Sequence, residues 1–400
     1  MKGPLDSLKV LDFSALLPGP YATMVMADLG ADVVRVEGPG RPDMARFLPP
    51  FDADTSAWHG VLNRNKRSLA LDLKRPEAAA MVHRLVGPEG GFDIVIEQFR
   101  PGVMDRLGLG YEALRATNPR IIYCAITGYG QTGPWRDKAG HDLNFLALSG
   151  ALSHSGRRSG RPPLHGVQVA DVGGAFGALV GVLAAVIERD RTAEGQYVDI
   201  SMFDLMVAWQ AHTIAAYLIA GDVPEPEGML LNGGHPYDTY WTADDRALAV
   251  ASLEPKFWEG FCQAIGRPDL IKPGLTPDLG ALGPVKAAVA ETLRTRTLAE
   301  WLAIFEPLDV CVEPVLTVPE MLEHPQSRAR ELLVETPTAS GRRQRQIGSP
   351  FRLSGSRPAY QSAGAPLGAH SEEVLAAAGY SIDEITLLRA SGVIAGHEGQ

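Results

Sequence analysis

Three side chains stand where the sequence could place proton or group transfer: His141, Asp171 and Glu254. His141 follows the glycine-rich run TGYGQTG (127–133) and Ala139-Gly140, and it precedes the apolar segment Leu143–Leu148. Glycines allow a ligand close to the backbone, and the positive end of a helix disfavours imidazolium. A histidine there suits general-base work. A hydrogen bond to a loop carbonyl would account for the same residue without catalysis. Asp142 beside it reads as a cap or first-turn residue, whose backbone N–H could receive developing oxyanion charge. Asp171 precedes Val172-Gly173-Gly174 and opens the longest apolar helix. An N-cap there stabilises the helix by about 0.5–2 kcal/mol. The two glycines weaken a helix but expose backbone N–H groups to an approaching ligand, so cap and catalyst are both open. Glu254 lies after Leu248–Ala251 and directly before Pro255. It could orient His141 across a cleft, or serve as an exposed cap of the following helix.

Positive groups complement these candidates. Arg64 and Lys66 precede Ser68–Leu73, while Arg100 and Arg106 bracket the turn that begins Pro101-Gly102. Arginine forms bidentate contacts with phosphate and lysine supplies a mobile point charge, so both pairs could hold a phosphate-rich ligand or be ordinary solvated surface. The formal net charge of -10 argues against nucleic acid as a partner but allows such a local basic patch. The three cysteines, Cys124, Cys262 and Cys311, are widely spaced and form no CxxC pair. They suit small core residues in a reducing cytoplasm, and neither a disulfide framework nor a zinc site is expected.

The elements that must position these groups alternate in type. Leu8–Phe13, Asp32–Val36, Leu69–Leu73, Ile94–Ile96 and Ile121–Ala125 are short apolar runs; Tyr21–Leu29 and Pro76–Leu85 have helical spacing. This alternation predicts an α/β fold with a mostly parallel sheet. No GxGxxG follows the first run, so a nicotinamide site has no support. Asp171–Asp190 and Met202–Ala220 read as helices, with Gln196–Ser201 as a strand between them. The apolar stretch Ala175–Ile187 is thirteen residues with two glycines, better suited to a buried helix than to a membrane span. No secretion signal is expected from the start MKGPLDSLKVLDFS. The Gly-, Pro- and acid-rich segment 221–237 marks a lobe boundary. Beyond it, Thr239–Thr242 and Arg246–Ala251 read as a hairpin, Lys256–Ile265 and Leu282–Phe305 as helices, and Ser340–Arg345 as a polar loop. Ser371–Ala378 and Ile382–Ala390 complete the helical segments.

Taken along its length, the chain resembles the family III coenzyme A-transferases (the CaiB/BaiF type), and within them the 2-methylacyl-CoA racemase branch. The resemblance starts at LKVLDFSALLPGPYATMVMADLGADVVRVE and runs through NRNKRSLALDLK, FRPGVMDRLGLGYEAL and ITGYGQTGPWRDKAGHDLNFLALSGAL. It continues in VADVGG, EGQYVDISMFD, ASLEPKFW and DVCVEPVLT, and ends with LGAHSEEVLAAAGYSIDEI. It implies a Rossmann-like large lobe and a smaller α+β lobe in an interlocked, ring-like homodimer. The expected division is 1–222 for the first part of the large CoA-binding lobe, 223–325 for the small lobe, and 326–400 for a linker and return to the large lobe.

The resemblance also assigns roles. Asp171 matches the transferases' nucleophile, which passes through aspartyl anhydrides and an aspartyl-CoA thioester. His141 in AGHDLNF and Glu254 in ASLEPKFW match the pair found with that aspartate in racemases, which implies epimerisation at C2 of a branched acyl-CoA. His141 would remove the α-proton and Asp171 would return one on the other face of a thioester enolate, in cytoplasmic lipid metabolism. CoA transfer between carboxylic acids is the alternative. The remaining ligand positions are Arg64, Lys66, Arg100, Arg106, Gly140 and Asp142, with CoA as the carrier part of the substrate and no metal or other cofactor required. No nucleic acid and no membrane insertion are implied. Leu17 stands where several oxalate-linked transferases carry glutamine. Three features depart from the racemase pattern: Asn232-Gly233-Gly234-His235, the long 38–58 loop, and Gly38 where a positive residue often holds the nucleotide end of CoA.

Overall fold

A computed structural model describes residues 3–53 and 55–396. The chain divides into two compact units, one of residues 1–145, 167–206 and 325–400, the other of residues 146–166 and 207–324.

The first unit is built on a seven-stranded sheet. Its strands are β1 (Lys9–Phe13), β2 (Asp32–Glu37), β3 (Arg67–Leu71), β4 (Ile94–Glu97), β5 (Ile122–Thr127) and β6 (Tyr197–Ser201). All six are parallel, and a last strand, Ile394–Ala395, runs antiparallel beside β3. The spatial order is Ile394–Ala395, β3, β2, β1, β4, β5, β6. The chain thus winds outward from β1 to one edge, then returns to the centre and winds to the other.

Alternation along the strands sorts the core into two layers. Leu11, Val34, Leu69, Val95 and Tyr123 point to one side, where they meet Met81, Val82 and Leu85 of the helix Pro76–Val86. Val10, Val33, Ile94, Ile122 and Cys124 point to the other, against α1 (Pro18–Asp28). Being buried on both faces is what makes these strands near-continuous apolar runs.

The second helix of that layer is the longest in the chain, Val169–Thr192. Among the described residues it is the one helix long and apolar enough to cross a membrane. Here it packs on α1, β5 and β6. Near its end Arg189 is ion-paired with Asp93 at 2.7 Å.

The second unit has its own antiparallel sheet, with the hairpin Asp238–Trp241 and Ala247–Val250 extended by Val312–Pro314. Trp258, Phe261, Trp301 and Phe305 fill its core. Besides 207–324, the unit takes in 146–166, ahead of the lobe expected from 223. The reason is polar. Arg157 donates to Glu227 at 3.0 Å and Asp238 at 2.6 Å, and Asn232 Nδ2 donates to the His154 carbonyl at 2.9 Å.

Three local differences from the expected elements have physical causes. The helix expected over Leu282–Phe305 is two, Gly283–Leu293 and Leu298–Phe305, because Thr297 and Glu300 form a new capping box. The helix expected over Met202–Ala220 breaks into Met202–Ala208 and Ala211–Ala220. At the break, the Gln210 amide binds the Ser149 carbonyl at 3.1 Å and His154 at 3.0 Å. The loop expected at Ser340–Arg345 instead enters a strand, Arg343–Ile347, paired with Leu333–Pro337. Its buried side chains are Gln344 and Gln346, so hydrophobic alternation could not reveal it.

Candidate active site

The loop after β5 leads to a helix starting at Asp142 (Asp142–Leu148). Two aromatic rings hold that loop: Tyr129 and Phe145 meet edge-on, centroids 5.2 Å apart. Gly140 lies against both. A Cβ there would sit 2.7 Å from a Phe145 ring carbon and 3.1 Å from the Tyr129 hydroxyl, so no side chain fits without displacing the loop. His141 is then the last residue before the helix, with its side chain exposed. Its backbone N–H donates to Asn144 Oδ1 at 3.0 Å, and its carbonyl accepts from Asn144 N at 2.8 Å.

These bonds fix the backbone on which the imidazole is carried. His141, Gly140 and Asn144 line a cavity of about 380 Å³ with Gln98, Phe99 and Arg100. Gly140→Ala should therefore shift the His141 loop and lower turnover by roughly tenfold to a hundredfold, with much smaller change in Tm. Steady-state rates and a melting curve on the purified variant check this.

Asp171 stands in the first turn of Val169–Thr192 and is half-buried. It does not cap that helix, as the sequence suggested it could. Gln168 occupies the N-cap position without a side-chain bond. The cap comes from outside: Asp142 Oδ1 accepts from Ala170 N at 2.6 Å and from Asp171 N at 3.2 Å. Burial, and then the Asp142 carboxylate, push the Asp171 carboxyl up to about 6, against the opposing pull of His141. His141, Asp142 and Asp171 thus form one electrostatic group. Gly174, considered above as an opening for a ligand, is taken up by packing, since a Cβ there would lie 2.7 Å from Met202 Cγ.

The expected basic contacts separate by burial. Arg64 and Lys66 lie inside the fold, each at most 2% exposed. Arg64 donates to Asp28 at 2.8 and 2.6 Å and to the Ile347 carbonyl at 2.6 Å. Lys66 donates to Asp12 at 3.2 Å and to the Pro20 carbonyl and Asn63 Oδ1, both at 3.0 Å. Burial, only partly offset by Asp12, lowers the lysine to about 8. These two cations brace the interior and face no solvent in which a phosphate could lie, which corrects the contact expected of them.

Arg100 and Arg106, in contrast, are exposed, and Arg100 lines the His141 cavity. Arg136 and Lys138 line it too, with Lys138 Nζ 4.3 Å from the Trp135 ring centroid. Sequence reasoning missed this pair, although WRDKAGH sets both just ahead of the histidine. Glu254 belongs to the second unit, where it is exposed and precedes the helix Pro255–Ala264. Its side chain makes no cap bond, while its carbonyl accepts from Phe257 and Trp258 N–H, both at 3.0 Å. Among the described residues, no three His, Cys, Asp or Glu side chains gather to hold a metal ion.

Comparison with known proteins places this arrangement. Residues 5–371 match the model of CoA-transferase family III. The alpha-methylacyl-CoA racemase of Homo sapiens is 36% identical over 98% of this chain and 97% of its own length. The succinyl-CoA:mesaconate CoA-transferase of Haloarcula hispanica is 37% identical over 94% of this chain and 97% of its own. A solved CAIB/BAIF family protein from Brucella suis superposes with a TM-score of 0.81 at 29% identity, covering 94% of this chain and all of that one. Matched by the family model over residues 5–371 and by relatives over nearly its whole length, the chain belongs to CoA-transferase family III.

Proposed function

We propose that this chain transfers coenzyme A between carboxylic acids in the cytoplasm, with Asp171 as the covalent nucleophile. The observation that carries the reading is the setting of that carboxyl, half-buried and repelled by Asp142. A carboxylate so placed is more basic than an exposed one, and acylation relieves it of its charge. An ionised Asp171 oxygen adds to the thioester carbonyl; the C–S bond breaks and the thiolate leaves with its electron pair. The thiolate then attacks the aspartyl carbonyl of the mixed anhydride, releasing the donor's carboxylate and leaving aspartyl-CoA thioester. An acceptor carboxylate runs the same steps in reverse. Exposed Arg100 and Arg106, with Arg136 and Lys138, supply cations for the CoA phosphates. The family's description and the Haloarcula relative support transfer. Self-association into an interlocked homodimer goes with the reading, supported by the exposed Tyr217, Leu218 and Ile219 of Ala211–Ala220.

A second reading, epimerisation at C2 of a 2-methyl-branched acyl-CoA, is favoured by one observation: Asp142, directly after His141, is hydrogen-bonded to the backbone N–H of Asp171 at 3.2 Å. An imidazole and a carboxyl could then take and return the α-proton on opposite faces of a planar enolate. The human racemase relative supports it. One incubation separates the two readings. A single optically pure 2-methylacyl-CoA is held in deuterium oxide, with and without succinate as acceptor. Transfer gives succinyl-CoA only with the acceptor, and borohydride traps Asp171. Deuterium at C2 with loss of optical purity and no acceptor would replace transfer by epimerisation. In that event His141→Ala should slow exchange at least ~100-fold while CoA binding is retained.

A further inference from the structure

We infer that the Asp142 side chain is a positioning residue, tying the loop that carries His141 to the helix start that carries Asp171. The inference rests on the readings above in two respects: that Asp171 is the reacting carboxyl, and that the loop carrying His141 lines the cavity where it reacts.

The helix Val169–Thr192 has no capping side chain of its own at Gln168, so its first N–H groups need an outside acceptor. Asp142 Oδ1 provides it for both Ala170 and Asp171, across 28 and 29 residues of sequence. The backbone of Asp142 meanwhile begins the helix that directly follows His141. One carboxylate oxygen therefore joins two helix starts, each bearing a candidate reacting group. A histidine loop released from this bond would keep its aromatic packing through Phe145 and Tyr129 but lose its register with Asp171.

The same side chain has a second effect, since its charge is what, after burial, disfavours ionisation of Asp171. The elements packed on Val169–Thr192 bring other ionisable groups: Tyr21 and Asp28 from α1, Tyr123 and Cys124 from β5, Tyr197 and Asp199 from β6. Asp28 is spent on Arg64 at 2.6 Å, and Asp199 accepts from Gln131 N at 3.0 Å. His141 and Asp142 are the ionisable groups that act on Asp171. Position and charge are therefore carried by one residue but can be separated chemically.

Asp142→Asn keeps an oxygen for the helix N–H groups and removes the charge. Asp142→Ala removes both. Turnover needs Asp171 ionised, so the acid limb of kcat/KM reports its titration. With Asn, that limb should move to lower pH by roughly half a unit or more, and kcat should stay within about tenfold of wild type. With Ala, the limb should move likewise while kcat falls by roughly a hundredfold at little changed KM.

An Asn variant whose acid limb coincides with wild type overturns the electrostatic part. An Ala variant with wild-type kcat overturns the positional part. If the Ala variant does not fold, a kcat of the Asn variant more than a hundredfold down overturns the positional part, because Asn retains the bond. Retained turnover in Asp171→Asn would instead remove the underlying reading, whatever Asp142 does.

Discussion

Asp171→Asn should abolish turnover, by roughly a thousandfold or more, and at the same time make the protein more stable at neutral pH. The first effect holds for either reading, because both pass through this carboxyl. The second follows from its setting. In the unfolded chain an aspartate titrates near 3.8, and in the fold burial and Asp142 push this one up to about 6. The protonated carboxyl is thus favoured by the fold. That contribution is complete below the unfolded value and is lost as pH rises through about 6. Above it, the native state holds an anion that would be better solvated unfolded. After discounting for partial exposure, the cost is about 1–2 kcal/mol, a few degrees in Tm. Calorimetry at pH 7.5 and pH 4 checks it: the asparagine variant should melt higher at the first and gain nothing at the second. An equal or lower Tm at pH 7.5 would show that the carboxyl is not held at a cost.

The second large effect lies at Asp12, in the strand β1. This carboxylate is wholly buried, and its oxygens accept from Arg35 and Lys66, both at 3.2 Å, and from Thr23 at 2.6 Å. Burial raises its pKa, but Lys66, Arg35 and the hydroxyls of Ser14 and Thr23 overcome that and hold it well below the usual carboxylate range. Arg35 also reaches Asp43 at 2.8 Å, and Asp43 accepts from Leu16 N at 3.0 Å, so the loop leading into α1 hangs on this network. Asp12→Ala leaves two interior cations short of their shared anion, which should cost about 3–5 kcal/mol. Faster hydrogen exchange throughout β1 and β2 would register it. Exchange rates within about fivefold of wild type would mean that Asp43 and Glu37, the latter 3.9 Å from Arg35, suffice.

The contrast between these residues shows what a linear chain reveals. The strands were legible because burial on both faces makes them apolar without interruption, as in Ile94–Ile96 and Ile121–Ala125. The histidine loop was legible through its glycines, and Gly140 has a steric reason to be one. Side-chain burial of a charge was not legible. Nothing in NRNKR distinguishes Arg64, which is enclosed by Asp28 and Ile347, from the solvated arginine of a turn. The glutamine-lined strand Arg343–Ile347 was hidden for the same reason, since its interior face is polar. The bond from Asp142 to the helix of Asp171 spans 28 residues, and no period or spacing marks it. Transfer against epimerisation is hidden at another level, because both proposed chemistries run through the same carboxyl.

The last strand of the large sheet has a bearing on how the protein is made. Ile394 and Ala395 pair with Leu71 and Ala70, while Val374, Leu375 and Ile385 fill the layer beneath. A ribosome delivers these residues after more than three hundred others, so through most of synthesis β3 is an open edge above a half-filled layer. Such an edge invites pairing with a neighbouring nascent chain. Ile394 and Ala395 thus close an edge that any fragment ending before them would leave open.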